Sequence, residues 1–125
     1  MSLALLNESE SGHAPGLVGA WRGEGGGRVR PIAPQDLDTA LADGSGWVWL
    51  HVDLVDQRMH GWLTGRCALP IAARAVLDGH DESLVLGHEA GTTHGVVVDL
   101  EQDMGRVTTV VGRLHFALTD RLLVT

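Results

Sequence analysis

Nine consecutive residues, Gly46-Trp47-Val48-Trp49-Leu50-His51-Val52-Asp53-Leu54, constrain this chain more than any other stretch. Val48, Leu50, Val52 and Leu54 occupy alternate positions and make one apolar face. Trp47, Trp49, His51 and Asp53 make a second, amphipathic face. Alternation of period two marks a β-strand, and faces of such different chemistry must meet different surroundings. A strand of this kind is not stable alone, so the rest of the chain has to supply a sheet and a layer that covers it.

The flanking sequence supplies both. Gly16 to Arg22 reads as a short strand, the glycines at 23 and 25–27 as a turn, and Arg28-Val29-Arg30 as the start of a second strand. No Gly-Lys-Ser/Thr follows these glycines and no helix begins there, so they form a hairpin tip rather than a phosphate loop. Pro34 stands where a first helical residue belongs, with Asp36 and Asp38 in the first turn and Gly44 at the end. Asp56 caps a second helix that buries Met59, Trp62 and Leu63 and stops at Gly65. Pro70 opens a third, Ile71 to Asp78, in which Arg74 is the sole charge before the final Asp. So weak a polar face predicts a helix wedged between neighbours on most sides. Strands are predicted at 83–88, 93–100, 106–118 and 121–125, and the nearly continuous apolar run His94 to Leu100 predicts a central strand covered on both faces.

The predicted order is β-β-α-β-α-α-β-β-β-β. It specifies an α+β domain, a three-layer α/β/α arrangement with a mixed sheet of about seven strands. Residues 1–14 are small and polar and read as a flexible N-terminal tail, leaving 15–125 as one domain. With 125 residues and 44% hydrophobic content, the chain can bury a core of its own.

Nine Lys/Arg against sixteen Asp/Glu give a formal charge of -7, which argues against nucleic acid or an anionic membrane surface as a partner. Cys67 is the only cysteine, so there is no internal disulfide and no cysteine-based zinc site within one chain. No apolar run reaches the roughly 20 residues of a membrane helix. Met1 to Leu6 lacks the basic residues and the length of a secretion signal.

Asp78-Gly79-His80-Asp81-Glu82 is the densest group of metal-ligating side chains. Asp78, His80, Asp81 and Glu82 offer carboxylates and an imidazole, donors that suit zinc, around a glycine that lets the loop fold round an ion. The alternative is a solvated acidic turn at a helix C-terminus; carboxylates crowded there repel the helix dipole, and a cation would relieve them. His88 and Glu89 join this group only if their strand folds back toward the loop. His51 and Asp53, two residues apart beside Trp47 and Trp49, are the one candidate acid/base pair. The alternative for His51 is a hydrogen-bonded structural histidine. Cys67 has no nucleophile signature around it and reads as a small buried filler. His60, His94 and His115 are isolated in sequence and receive no role.

Several landmarks in order carry a resemblance. Trp49-Leu50-His51-Val52-Asp53 fits a Trp-hydrophobic-His/Asn-hydrophobic-Asp strand; Trp62-Leu63 lies on the next helix, and Leu69-Pro70 opens the one after. Arg113-Leu114-His115-Phe116 and Leu122-Leu123-Val124-Thr125 complete the pattern over roughly residues 15–125. The chain thereby resembles the N-terminal cytoplasmic domain of the CorA/ZntB family of divalent metal-ion transporters. The resemblance implies a non-enzymatic regulatory and assembly domain that requires no cofactor and can take Zn2+ or Mg2+. It further implies a place on the cytoplasmic side of the inner membrane, where soluble domains of a homopentamer form a funnel. Its partners would be its own transmembrane part, neighbouring subunits and divalent cations. The pore elements, two membrane helices and a Gly-Met-Asn loop, are not in this sequence, so the isolated domain is expected to be monomeric or weakly associated. Where magnesium channels of the family carry an acidic residue in the helix after the Pro, this chain has Ala75; where they often read Thr-Arg-Pro-Arg, it reads Asp81-Glu82-Ser83-Leu84. Both departures point toward the zinc-associated branch.

Overall fold

The structure, a computed structural model, describes residues 14–79, 83–100 and 111–125. Strands β1 (Leu17–Gly25) and β2 (Arg28–Pro31) form the N-terminal hairpin. A 3-10 turn at Pro34–Asp36 leads into α1 (Leu37–Ala42). The helix expected from Pro34 therefore begins as a tighter turn, because proline has no N–H to give to an α-helical ladder. Then come β3 (Trp47–Val52), α2 (Gln57–Arg66), α3 (Ile71–Leu77), β4 (Val85–Glu89), β5 (Thr92–Leu100), β6 (Val111–Leu118) and β7 (Leu122–Val124). Asp56 caps α2 as expected, its carboxylate accepting from the Arg58 amide at 3.0 Å.

All seven strands among the described residues belong to one mixed sheet, in the order β2-β1-β3-β7-β6-β5-β4. Every pairing is antiparallel except β3 with β7, where Val48, Trp49 and Leu50 register with Leu122, Leu123 and Val124. The class, the element order and the strand number are those the sequence implied.

β3 has the two faces its alternation demanded: Val48, Leu50 and Val52 are buried, whereas Trp47 is 40% exposed. Register carries this division across the sheet. Ala20, Leu122, Val124 and Ala117 share the face of Leu50 and form one core with Leu37 and Ala40 of α1, Met59 and Leu63 of α2, and Ala73 and Leu77 of α3. Burial of each large side chain there stabilises the fold by about 1.5–3 kcal/mol. All three helices thus lie against one face, and the described residues build two of the three expected layers.

Two expectations change accordingly. α3 is not wedged on most sides: it buries Ala73 and Leu77 against β5 and β6, but Ile71 is 73% exposed. Nor is β5 covered on both faces, since Val97 and Val98 are exposed on opposite sides of it. In both elements an all-round apolar sequence belongs to a surface left open among the described residues.

Candidate functional site

The uncovered face of the sheet is where the aromatic residues gather. The sequence has four Trp, one Phe and no Tyr, and all but Trp62 lie on this face. Trp21 and Trp49 face each other across β1 and β3 with ring centroids 4.5 Å apart. Two glycines make room for the rings. A Cβ on Gly19 would stand 2.4 Å from the Trp21 ring, and one on Gly23 would stand 2.0 Å from the Trp47 indole. An aromatic ring laid flat over a strand glycine restores contact that the missing side chain would have made. The patch continues through Leu123, Leu118, Phe116 and Val97 to Leu86 on β4, which is 72% exposed. Its sequence signal was the odd-numbered set of β3, which periodicity placed on one face without saying what lies opposite.

His51 and Asp53, the candidate acid/base pair, are engaged separately. The His51 Nδ1 lies 3.1 Å from Thr125 Oγ1, to which Trp49 Nε1 also donates at 2.9 Å. Asp53 leaves the strand and accepts from the Val55 amide at 3.0 Å, closing a turn. Both side chains therefore have local structural partners. Cys67 is buried as expected, and burial pushes its thiol up to about 11, offset in part by Arg66. It remains a protonated filler at neutral pH.

Of the predicted metal ligands, Asp78 caps the C-terminus of α3, while His80, Asp81 and Glu82 lie outside the described residues. Asp78 lines a cavity of about 420 Å3 with Leu54, Val55, Gln57, Gly79, Arg113 and His115. Its carboxylate stands 3.4 Å from the Nδ1 of His60 on α2. Sequence separation hid that partnership, because eighteen positions part the two residues (78 − 60) and no local spacing links them. Among the described residues, no group of three or more His, Cys, Asp or Glu side chains converges as a metal site. His88 and Glu89 do not approach Asp78. β4 runs on to the Ala90–Gly91 turn, and His88 Nδ1 lies 2.9 Å from Thr93 Oγ1. His115, given no role by sequence, donates from Nδ1 to the Val76 carbonyl at 2.8 Å and ties α3 to β6.

A cavity of about 590 Å3 opens beside the starts of β3 and β7 and the ends of α1 and α2. Two of its four charged side chains are paired with residues outside the lining. Asp43 pairs with Arg22, and Arg66 with Asp38 at 3.1 Å. The Ser45 amide, then the Arg22 guanidinium, then the Ser45 hydroxyl hold the Asp43 carboxyl down to about 2. Asp120 and Arg121 line it as well, so charges of both signs surround the cavity.

Among the described residues, no helix is long and apolar enough to cross a membrane. No family model matches the sequence, and no curated protein does. Solved structures do match the fold. The full-length CmaX protein aligns over 89% of this chain and 34% of its own, with 17% identity and a TM-score of 0.72. The crystal structure of the ZntB cytoplasmic domain from Vibrio parahaemolyticus RIMD 2210633 aligns over 86% of this chain and 42% of its own, with 9% identity and a TM-score of 0.60. The chain thus spans less than half the length of either. In fold, the similarity to a CorA/ZntB-type cytoplasmic domain expected from the sequence is met.

Proposed function

We propose that this chain is a regulatory and assembly domain of a CorA/ZntB-type divalent-cation transporter, a non-enzymatic part of a cytoplasmic funnel. The observation that carries this reading is the uncovered aromatic face. Trp21, Trp47, Trp49 and Phe116 share this face with the exposed Leu86, Val97 and Leu118, and contiguous apolar patches of this kind mark contact surfaces. More than half of the ZntB cytoplasmic domain lies beyond the shared fold, so chains of this fold carry further polypeptide that can lie on such a face. Its occupants here would be the stalk helices of the same polypeptide and neighbouring subunits of a homopentamer at the inner membrane. The engagement of His51 with Thr125 and of Asp53 with the Val55 amide favours this reading over an enzyme. A charge of -7 suits cations as partners and not nucleic acid.

The cation would be zinc in preference to magnesium, with Asp78, His80, Asp81 and Glu82 as ligands and no cofactor required. A second reading, a free-standing metal-binding module built on those residues, draws support from the histidine that faces Asp78. Reading the parent gene beyond the Thr125 codon separates the two. Two apolar spans of about 20 residues joined near Gly-Met-Asn are expected. A stop codon directly after Thr125 would sink the transporter reading and leave the module.

A further inference from the structure

We propose that the outer edge of β4 is a pairing surface for a second copy of this chain, which adds its own β4 antiparallel and continues the sheet across a two-fold axis. The inference stands on the two edges of the sheet and does not depend on the transporter reading.

Those edges differ in kind. β2 closes one side of the sheet and β4 the other. β2 is short and guarded: it carries Arg28 and Arg30 and ends on Pro31, which has no N–H to offer. A register shift between Gly23 and Gly25 of β1 also breaks its ladder. Charge, proline and bulges are the devices by which natural edges refuse a further strand. β4 has none of them. Val85-Leu86-Gly87-His88-Glu89 contains no Lys, Arg or Pro, and its register with β5 runs from end to end without a shift. Leu84, Val85 and Leu86 are exposed, and with Val96, Val97 and Val98 they line a wholly aliphatic groove of about 330 Å3. Among the described residues β4 pairs with β5 alone, so its outer edge has no ladder partner.

A row of backbone donors and acceptors is met by an extended segment. Val85 lies on the helix side of the sheet and Leu86 on the aromatic side, so that segment must offer aliphatic side chains to both. β4 of a second copy meets both demands. With the axis beside Leu86, that residue stands across from Leu86 of the second copy. Val85 then stands across from Gly87, over which the His94 ring lies, and Leu84 across from His88. Apolar side chains meet at the axis, and no like charges face each other. An axis beside Gly87 would instead set Glu89 against Val85. So short a ladder buries less than the roughly 1,200 Å2 of a stable interface. Each copy also carries a formal charge of -7, so the pair is weak.

Sedimentation velocity of the chain over a concentration series tests this. We expect a monomer–dimer equilibrium with a dissociation constant on the order of 100 μM, strengthened by added salt as the charges are screened. Leu86→Lys sets two ammonium groups face to face at the axis and should weaken the pair roughly tenfold or more. Leu86→Cys should give a disulfide-linked dimer under mild oxidation, because Cys67 is buried and residue 86 meets its own copy. Val29→Cys, on the guarded β2 edge, should stay largely reduced under the same conditions. Leu86 and Val29 are both exposed, so the fold survives these changes. A chain that remains monomeric at millimolar concentration would overturn the inference. So would a dimer indifferent to Leu86→Lys, or one in which Val29→Cys crosslinks as fast as Leu86→Cys.

Discussion

Along β3, neighbouring residues belong to opposite halves of one design. Leu50 is fully buried beneath three helices, and Trp49, one residue earlier, lies on a face that no described helix covers. The helix side is filled by aliphatic side chains of moderate size, packed as a protein interior normally is. The open side is paved with indole rings, two of them lying over glycines. Aliphatic packing supports the fold of the chain itself. Broad, rigid rings with one polar atom suit a surface that meets another element, since they bury much area while retaining a hydrogen-bonding handle. The difference teaches that one face is closed by the chain's own helices, whereas the other is left open among the described residues.

Substitutions on the two faces should separate these roles. The largest effect belongs to the covered side: Leu50→Ala should cost about 2–5 kcal/mol in urea unfolding, because it opens a cavity beneath the helices. Leu86→Ala on the open side should stay within about 0.5 kcal/mol of wild type. Equal costs would erase the comparison. Trp49→Ala should fall between them, near 2 kcal/mol, since its half-buried ring meets Trp21 and its Nε1 donates to Thr125. A value as large as that of Leu50→Ala would mean the aromatic face supports the chain's own fold.

The smallest effect lies at the polar rim of the helix side. Asp43 has its carboxyl lowered from 3.8 to about 2 by the Ser45 amide and the Arg22 guanidinium. On acidification the unfolded chain takes up that proton before the folded one does. The stabilisation is therefore complete above about pH 4 and is lost as pH falls through about 2. Asp43→Asn should flatten this limb of the urea midpoint between pH 5 and pH 2, and the two proteins should converge at the acid end. The carboxyl is exposed, so the difference will be modest.

Local chemistry was legible in the sequence where one residue decides one thing. The alternation of β3, the Asp56 cap, Pro70 at the head of α3 and the turn at Gly25–Gly27 all stand where the residues put them. What escaped was the identity of whatever lies opposite an apolar surface. Val96-Val97-Val98 suits a strand enclosed on both faces and equally one whose faces await a partner, because hydrophobicity records the need for cover and not its source. α3 was misjudged for the same reason. Asp78 was singled out from its neighbours in sequence, whereas its contact with His60 could be seen only once α2 and α3 stood side by side.

β7 contributes only three residues, Leu122 to Val124, yet it is the strand that joins β2-β1-β3 to β6-β5-β4. Until it is in place, the sheet consists of two separate antiparallel blocks with no ladder between them. On a ribosome this makes completion of the sheet wait for the other six described strands. β1, β2 and β3 can emerge and pair with one another, as can β4, β5 and β6, but the parallel seam beside β3 must wait for β7 to clear the exit. A pairing so distant along the chain is slow to form. During that wait both inner edges, β3 and β6, stand bare, and nascent chains crowded on one message could pair with each other there.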